Sequence, residues 1–95
     1  MRLRLTPRAA AELDEILTFI DKRSPRGASN VKARIRAVVD LLLRHPEAGK
    51  VTSRRQLRRA TVHPYPYFVF YKVVGSDLVI HGIRHSARDP RSMPK

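Results

Sequence analysis

Hydrophobic and polar positions follow a strand period at the start of this chain, a helical period through its middle and a strand pattern again toward its end. Leu3 and Leu5 alternate with Arg2 and Arg4, the period-2 pattern of a half-buried strand. Thr6-Pro7 then gives a capping residue followed by proline at the first helical position. The spacing of Ala10, Leu13, Ile16, Leu17 and Ile20 predicts an amphipathic helix from about Pro7 to Lys22. Glu12, Asp14 and Glu15 fall in its N-terminal half, where the helix dipole favours negative charge. Ser24-Pro25 repeats the start signal. Ala28, Val31, Ile35, Val38 and Leu42, broadened by Val39 and Leu41, predict a second helix from about Pro25 to Arg44. The short spacer makes the two an antiparallel hairpin. Its shared apolar stripe needs a surface to cover, and a sheet is the candidate.

Pro46 and Gly49 end the second helix. Residues 50–56 read as a polar loop and 56–62 as a weaker strand. His63-Pro64-Tyr65-Pro66 reads as a turn. Tyr67 to Val74 is a β-branched and aromatic run, apolar on both faces as a central strand is. Gly75-Ser76 suits a type II′ hairpin turn, and Asp77 to Arg84 returns. A regular register from that turn opposes Tyr71 to Ile80, Phe70 to His81 and Tyr67 to Arg84. Tyr67, Val69, Tyr71, Val73, Leu78 and Ile80 then share the face under the helices. Phe68, Phe70, Lys72, Val79, His81 and Ile83 share the other. The expected fold is α+β in the order β-α-α-β-β-β, a helical hairpin packed on one face of a small antiparallel sheet with the other face more open. The chain reads as a single domain over residues 1–95, with 89–95 a flexible tail.

Charge sharpens this picture. The chain has 95 residues, 20 basic and 8 acidic, for a net charge of +12. Residues 1–48 hold ten basic and six acidic side chains, and residues 49–95 ten basic and two acidic. The sheet-forming half is therefore strongly positive, which attracts nucleic acid, acidic protein segments or anionic surfaces. The densest run is Arg54, Arg55, Arg58 and Arg59. A second basic cluster, Arg84-His85-Ser86-Ala87-Arg88, closes the last strand. The absence of cysteine excludes disulfides and thiolate metal sites and suits a reducing cytoplasm. No apolar run reaches the roughly 20 residues of a membrane span, so no membrane partner is expected. No Gly-rich phosphate loop appears, and His45, His63, His81 and His85 lack zinc spacing. His81 and His85, four apart on a strand, do not converge as they would on a helix. No metal or cofactor is expected.

The order of these words resembles the ParE/RelE superfamily of toxins from type II toxin–antitoxin modules. The resemblance spans nearly the whole chain. Leu5-Thr6-Pro7 before an Ala-rich helix start carries it, with Asp14-Glu15-Ile16, Ser24-Pro25 and the stretch Leu42 to Gly49. The most specific words are Pro66-Tyr67-Phe68-Val69-Phe70-Tyr71 and His85-Ser86-Ala87-Arg88-Asp89-Pro90, similar to the ending of the ParE branch. The resemblance implies a toxin neutralised by a cognate antitoxin in a hetero-oligomer. It also implies one of two targets: DNA gyrase, inhibited by binding, or messenger RNA cut on the ribosome.

The residues favour the first target. RNA cleavage needs groups that stabilise a crowded phosphate and groups that move protons. The superfamily often places an Arg just after the Tyr that begins the third strand. Phe68 stands there and does neither job. A ribonuclease reading would rest on Arg58, Arg59, His85 and Arg88. For a gyrase inhibitor, Arg84, His85 and Arg88 are the target-binding candidates. Arg54, Arg55, Arg58, Arg59, Phe68, Phe70, His81 and Ile83 are the candidates for the antitoxin surface. The duller alternatives are a backbone hydrogen bond for His85, solvated charges for Arg84 and Arg88, and a loop covering the aromatics. A basic nucleic-acid-binding module is a third reading from charge alone.

Overall fold

The computed structural model describes residues 1–87. Its elements run β1 (Arg2–Leu5), α1 (Pro7–Asp21), α2 (Pro25–Arg44), β2 (Lys50–Val51), β3 (Arg58–Thr61), β4 (Tyr67–Val74) and β5 (Asp77–His85). Both helices start as their sequences dictate. The Thr6 hydroxyl accepts from the Ala9 N–H at 3.1 Å and the Ser24 hydroxyl from the Gly27 N–H at 2.9 Å, with proline just inside each helix. The apolar stripe of α2 is buried at Ala28, Val31, Ile35, Val38, Val39 and Leu42. That of α1 is half-buried at Leu13, Ile16, Leu17 and Ile20. Both pack with Val62, Val69, Tyr71, Leu78, Ile80 and Ile83 of the sheet half.

The five strands form one sheet in the order β1-β5-β4-β3-β2. The expected antiparallel sheet is corrected to a mixed one, because β1 runs parallel to β5, Leu3 beside Leu78 and Leu5 beside Ile80. A parallel neighbour needs a long crossover, which here runs through both helices and then β2, β3 and β4. Arg4 fixes this edge with a 3.2 Å ion pair to Asp77. The loop expected at 50–56 contributes the short edge strand β2, paired antiparallel with β3. The β4–β5 turn is as expected: Val74 pairs Asp77, and Gly75 has φ 60°. His63-Pro64 is a cis peptide in the β3–β4 turn.

The hairpin register departs from regularity once. Tyr71 pairs Ile80, but Phe70 pairs Gly82, with an irregularity between Phe70 and Tyr71. His81 is the extra residue of this bulge. Beyond it every partner moves by one: Val69 faces Ile83, Phe68 faces Arg84 and Tyr67 faces His85. Ile83 therefore belongs to the core under the helices, 2% exposed, and not to the open face as the regular register places it. A one-residue insertion flips the faces of all that follows it.

Candidate functional site

The sheet face away from the helices carries the residues that share a side with Phe68 and Phe70 of β4. From β3 these are Arg59 and Thr61, from β4 Phe68 and Phe70, and from β5 Gly82 and Arg84, by their pairing. The expectation of two exposed aromatics is corrected at Phe70, which is 2% exposed. A tight loop before β3 explains it. The Thr52 hydroxyl accepts from the Arg54 N–H at 3.2 Å and donates to the Leu57 carbonyl at 2.9 Å. The Leu57 N–H returns to the Arg54 carbonyl at 3.2 Å, with Gln56 at φ 63°. This fold-back buries Leu57 in a cleft that it lines together with Phe70. Phe68 stays half-buried. Its ring meets Phe70 edge-on at 6.1 Å and carries the Arg59 guanidinium at 4.5 Å.

Glu12 of α1 closes the upper edge of β5, beyond the reach of β1. One carboxylate oxygen accepts from the Ile83 N–H at 3.2 Å, and the other faces the Arg84 Nε at 3.2 Å. Arg8 approaches the same carboxylate at 3.8 Å. Arg84 is thus 7% exposed and ion-paired inside the protein, correcting its reading as a solvated cation at a strand end. Gly82 makes room for this pair, since a Cβ there would lie 3.1 Å from the Glu12 carboxylate. Beside it, the buried Nε2 of His81 has no hydrogen-bond partner among the described residues. Burial, and then the charge of Lys72, hold the His81 imidazole below its ordinary value. Thr6, Arg8, Arg54, Leu57, Phe70, His81, Gly82 and Arg84 enclose a cleft of about 260 Å³ here.

The other cations lie elsewhere. Arg58 pairs with Tyr71 on the helix side. Its guanidinium donates to the carbonyls of Glu47 at 3.1 Å and Gly49 at 2.8 Å. The Tyr71 hydroxyl donates to the Pro46 carbonyl at 2.8 Å and accepts from the Gly49 N–H at 2.8 Å. Burial pushes the Tyr71 phenol up. His85 is exposed at the far end of β5. Its Nδ1 accepts from the Ala87 N–H at 3.0 Å, and its ring meets Tyr67 edge-on at 5.4 Å. Arg55 is exposed on the loop, and Arg88 lies outside the described residues, as does the expected tail at 89–95.

The structure therefore divides the residues singled out by sequence. Arg54, Phe70, His81 and Arg84 line one cleft, with Arg59 and Phe68 on the same sheet face. Arg58 is turned to the helix side, and Ile83 is core. Arg58 and His85 sit opposite Tyr71 and Tyr67, which are four residues and so about 13 Å apart along β4. The residues that sequence reasoning missed are Arg8, Glu12 and Leu57. Leu57 was readable only as a strand residue, and Glu12 meets Arg84 across 72 positions, with no local signal. Among the described residues no group of three His, Asp or Glu side chains is placed to hold a metal, and no helix is long and apolar enough to cross a membrane.

Comparison with known proteins adds three findings. A family model described as the ParE toxin of type II toxin–antitoxin system, parDE, matches residues 3–90. Two relatives span most of the chain. "Putative toxin Y4kP" of Sinorhizobium fredii is 34% identical over 85 residues, 90% of this chain and 88% of its own. "Toxin RelE2" of Caulobacter vibrioides is 36% identical over 83 residues, 87% of this chain and 92% of its own. A solved structure described as the chromosomal ParDE TA system from P. aeruginosa superposes with a TM-score of 0.78 at 26% identity, covering 90% of this chain and 95% of that one.

Proposed function

Because the chain belongs to the ParE toxin family of type II toxin–antitoxin systems, we propose that it arrests growth by binding DNA gyrase, not by cutting RNA. A cognate antitoxin holds it inactive in a hetero-oligomer. The observation that carries the choice of target is the dispersal of the ribonuclease candidates that lie among the described residues. A nuclease must bring a cation and a proton-transfer group onto one phosphate. Here Arg58 is engaged with two backbone carbonyls on the helix side. Arg59 stacks on Phe68 on the opposite face, and His85 lies at the far end of the hairpin. Phe68 itself offers no charge where a phosphate would need one. The antitoxin is supported by the family and by the likeness to a solved ParDE system.

The test uses purified protein against two targets in parallel. Supercoiling of relaxed plasmid by gyrase should fall as the protein is added, while messenger RNA on translating ribosomes stays intact. Cleaved messages with gyrase unaffected would overturn the reading in favour of the ribonuclease, a result that the likeness to "Toxin RelE2" gives a reason to look for.

A further inference from the structure

The edges of the sheet are finished in different ways. β2, at one edge, has two residues. The part of β5 that runs past β1 is closed by Glu12, whose carboxylate takes the Ile83 N–H at 3.2 Å. β1, at the other edge, is exposed along all four residues. Its Arg2 N–H donates to the Ser76 carbonyl and the Thr6 N–H to the Ile80 carbonyl, both at 3.0 Å. The backbone groups of Arg2, Arg4 and Thr6 therefore point at β5, and those of Leu3 and Leu5 point away from it. Among the described residues nothing hydrogen-bonds to these two N–H and two C=O groups. The side chains sort in the same alternation. Leu3 and Leu5 pair with the core residues Leu78 and Ile80, turn to the helix side and remain 40% and 37% exposed. Arg2 and Arg4 turn to the open face, where both lean on one carboxylate, Asp77, at 4.0 Å and 3.2 Å.

We propose that β1 accepts an extended segment of a partner protein as a sixth, antiparallel strand, with apolar residues opposite Leu3 and Leu5 and acidic residues opposite Arg2 and Arg4. Main-chain bonds of this kind supply affinity, and alternate side chains supply specificity. In that register Leu3 and Leu5 each exchange two hydrogen bonds with the incoming strand. Arg2 and Arg4 fall at the pairs without hydrogen bonds, where side chains approach more closely. Charge selects the occupant. Two arginines on one carboxylate leave this edge positive, in a chain of net charge +12. Antiparallel pairing of two copies of β1 would set arginine opposite arginine, and like charges directly opposite are destabilising. The arginines thus turn away a second copy and admit an acidic strand. A nucleic-acid backbone offers phosphate acceptors but no donors for the Leu3 and Leu5 carbonyls. The inference rests on the edge alone and does not depend on which target the chain inhibits.

The test follows the backbone amides of Leu3 and Leu5 by NMR in the full chain. The probe is a blocked hexapeptide in which valine and glutamate alternate. It should shift both amides saturably and slow their exchange with solvent. A peptide of the same composition, with its valines together and its glutamates together, should bind about tenfold more weakly. A peptide with lysine in place of glutamate should leave both amides unmoved. N-methylation of the valines should abolish the response, and N-methylation of the glutamates should leave it intact, because only the valine N–H groups face β1. Leu3→Pro removes an outward donor and no bond to β5, a place where an edge strand tolerates proline. It should weaken the alternating peptide about tenfold, with an unchanged spectrum elsewhere as the sign that the variant is folded. The N-methyl comparison uses the natural chain, so the test stands even if that variant fails to fold. Equal binding of the two acidic peptides, or binding unaffected by N-methyl valine, overturns the inference. Protection at Val51 in place of Leu3 and Leu5 overturns it in favour of the β2 edge. Protection of Leu3 and Leu5 without peptide, together with a dimer in sedimentation, overturns it in favour of a second copy.

Discussion

Tyr71 joins the loop that follows α2 to the middle of the sheet through a single oxygen. Removing that oxygen in Tyr71→Phe leaves the Gly49 N–H, bonded at 2.8 Å, without its acceptor. A loss of about 1–2 kcal/mol is expected in urea unfolding. Gly49→Ala is the complementary insult, because its Cβ would stand 2.3 Å from the same oxygen. Overpacking of this kind costs about 1–3 kcal/mol. His81 sets a pH dependence. Its folded pKa lies below the ordinary 6.5. Above that value the imidazole is neutral in both states, and the full contribution to stability is present. As pH falls below about 6.5 the unfolded chain takes up a proton that the folded chain resists, and stability declines through the folded pKa. Unfolding midpoints at a series of pH values between 8 and 5 should show this decline, and His81→Asn should flatten it. The place of Tyr71 on the face under the helices was legible in the alternation of the strand. The state of His81 was not, because it follows from a bulge.

At the scale of elements, the helices and the hairpin turn were legible because their signals are local: Thr6-Pro7, Ser24-Pro25 and Gly75-Ser76 act within a few residues. The upper half of the hairpin was not. Regular alternation puts Ile83 on the open face, and nothing in the sequence marks His81 as an inserted residue. Leu57 and Phe70 were likewise hidden, since the loop that covers Phe70 is held by a threonine hydroxyl and a left-handed Gln56, neither a strong turn word. The bulged edge is secured by Glu12 of α1, which meets one strand N–H and one guanidinium. Glu12→Ala should cost about 3 kcal/mol, because it removes the carboxylate that Arg84, 7% exposed, pairs with at 3.2 Å. The double variant Glu12→Leu with Arg84→Met should recover most of that loss, since an apolar pair needs no such compensation. Thermal unfolding of the two single variants and the double variant measures the coupling. A double variant as unstable as the worse single would show that the carboxylate's bond to the Ile83 N–H dominates.

For the whole molecule, the α+β class and the covering of one sheet face by a helical hairpin were legible from periodicity. The parallel pairing of β1 with β5 was not, since a four-residue alternating strand carries no mark of its neighbour. That pairing has a consequence for how the protein comes into being. Among the described strands the first in the chain, β1, lies at the sheet edge against the last, β5, with Arg2 beside Asp77 and Leu5 beside Ile80. During synthesis β1 has no strand to pair with until β5 has been made, and non-local pairing of this kind is slow. A chain stopped before Asp77 should show no cooperative unfolding by circular dichroism, because it lacks the strand between β1 and β4. The protein therefore cannot become harmful piecemeal while it is being made. Its folded form arises only after β5 has been made, which gives a partner already present in the cell the first opportunity to meet it.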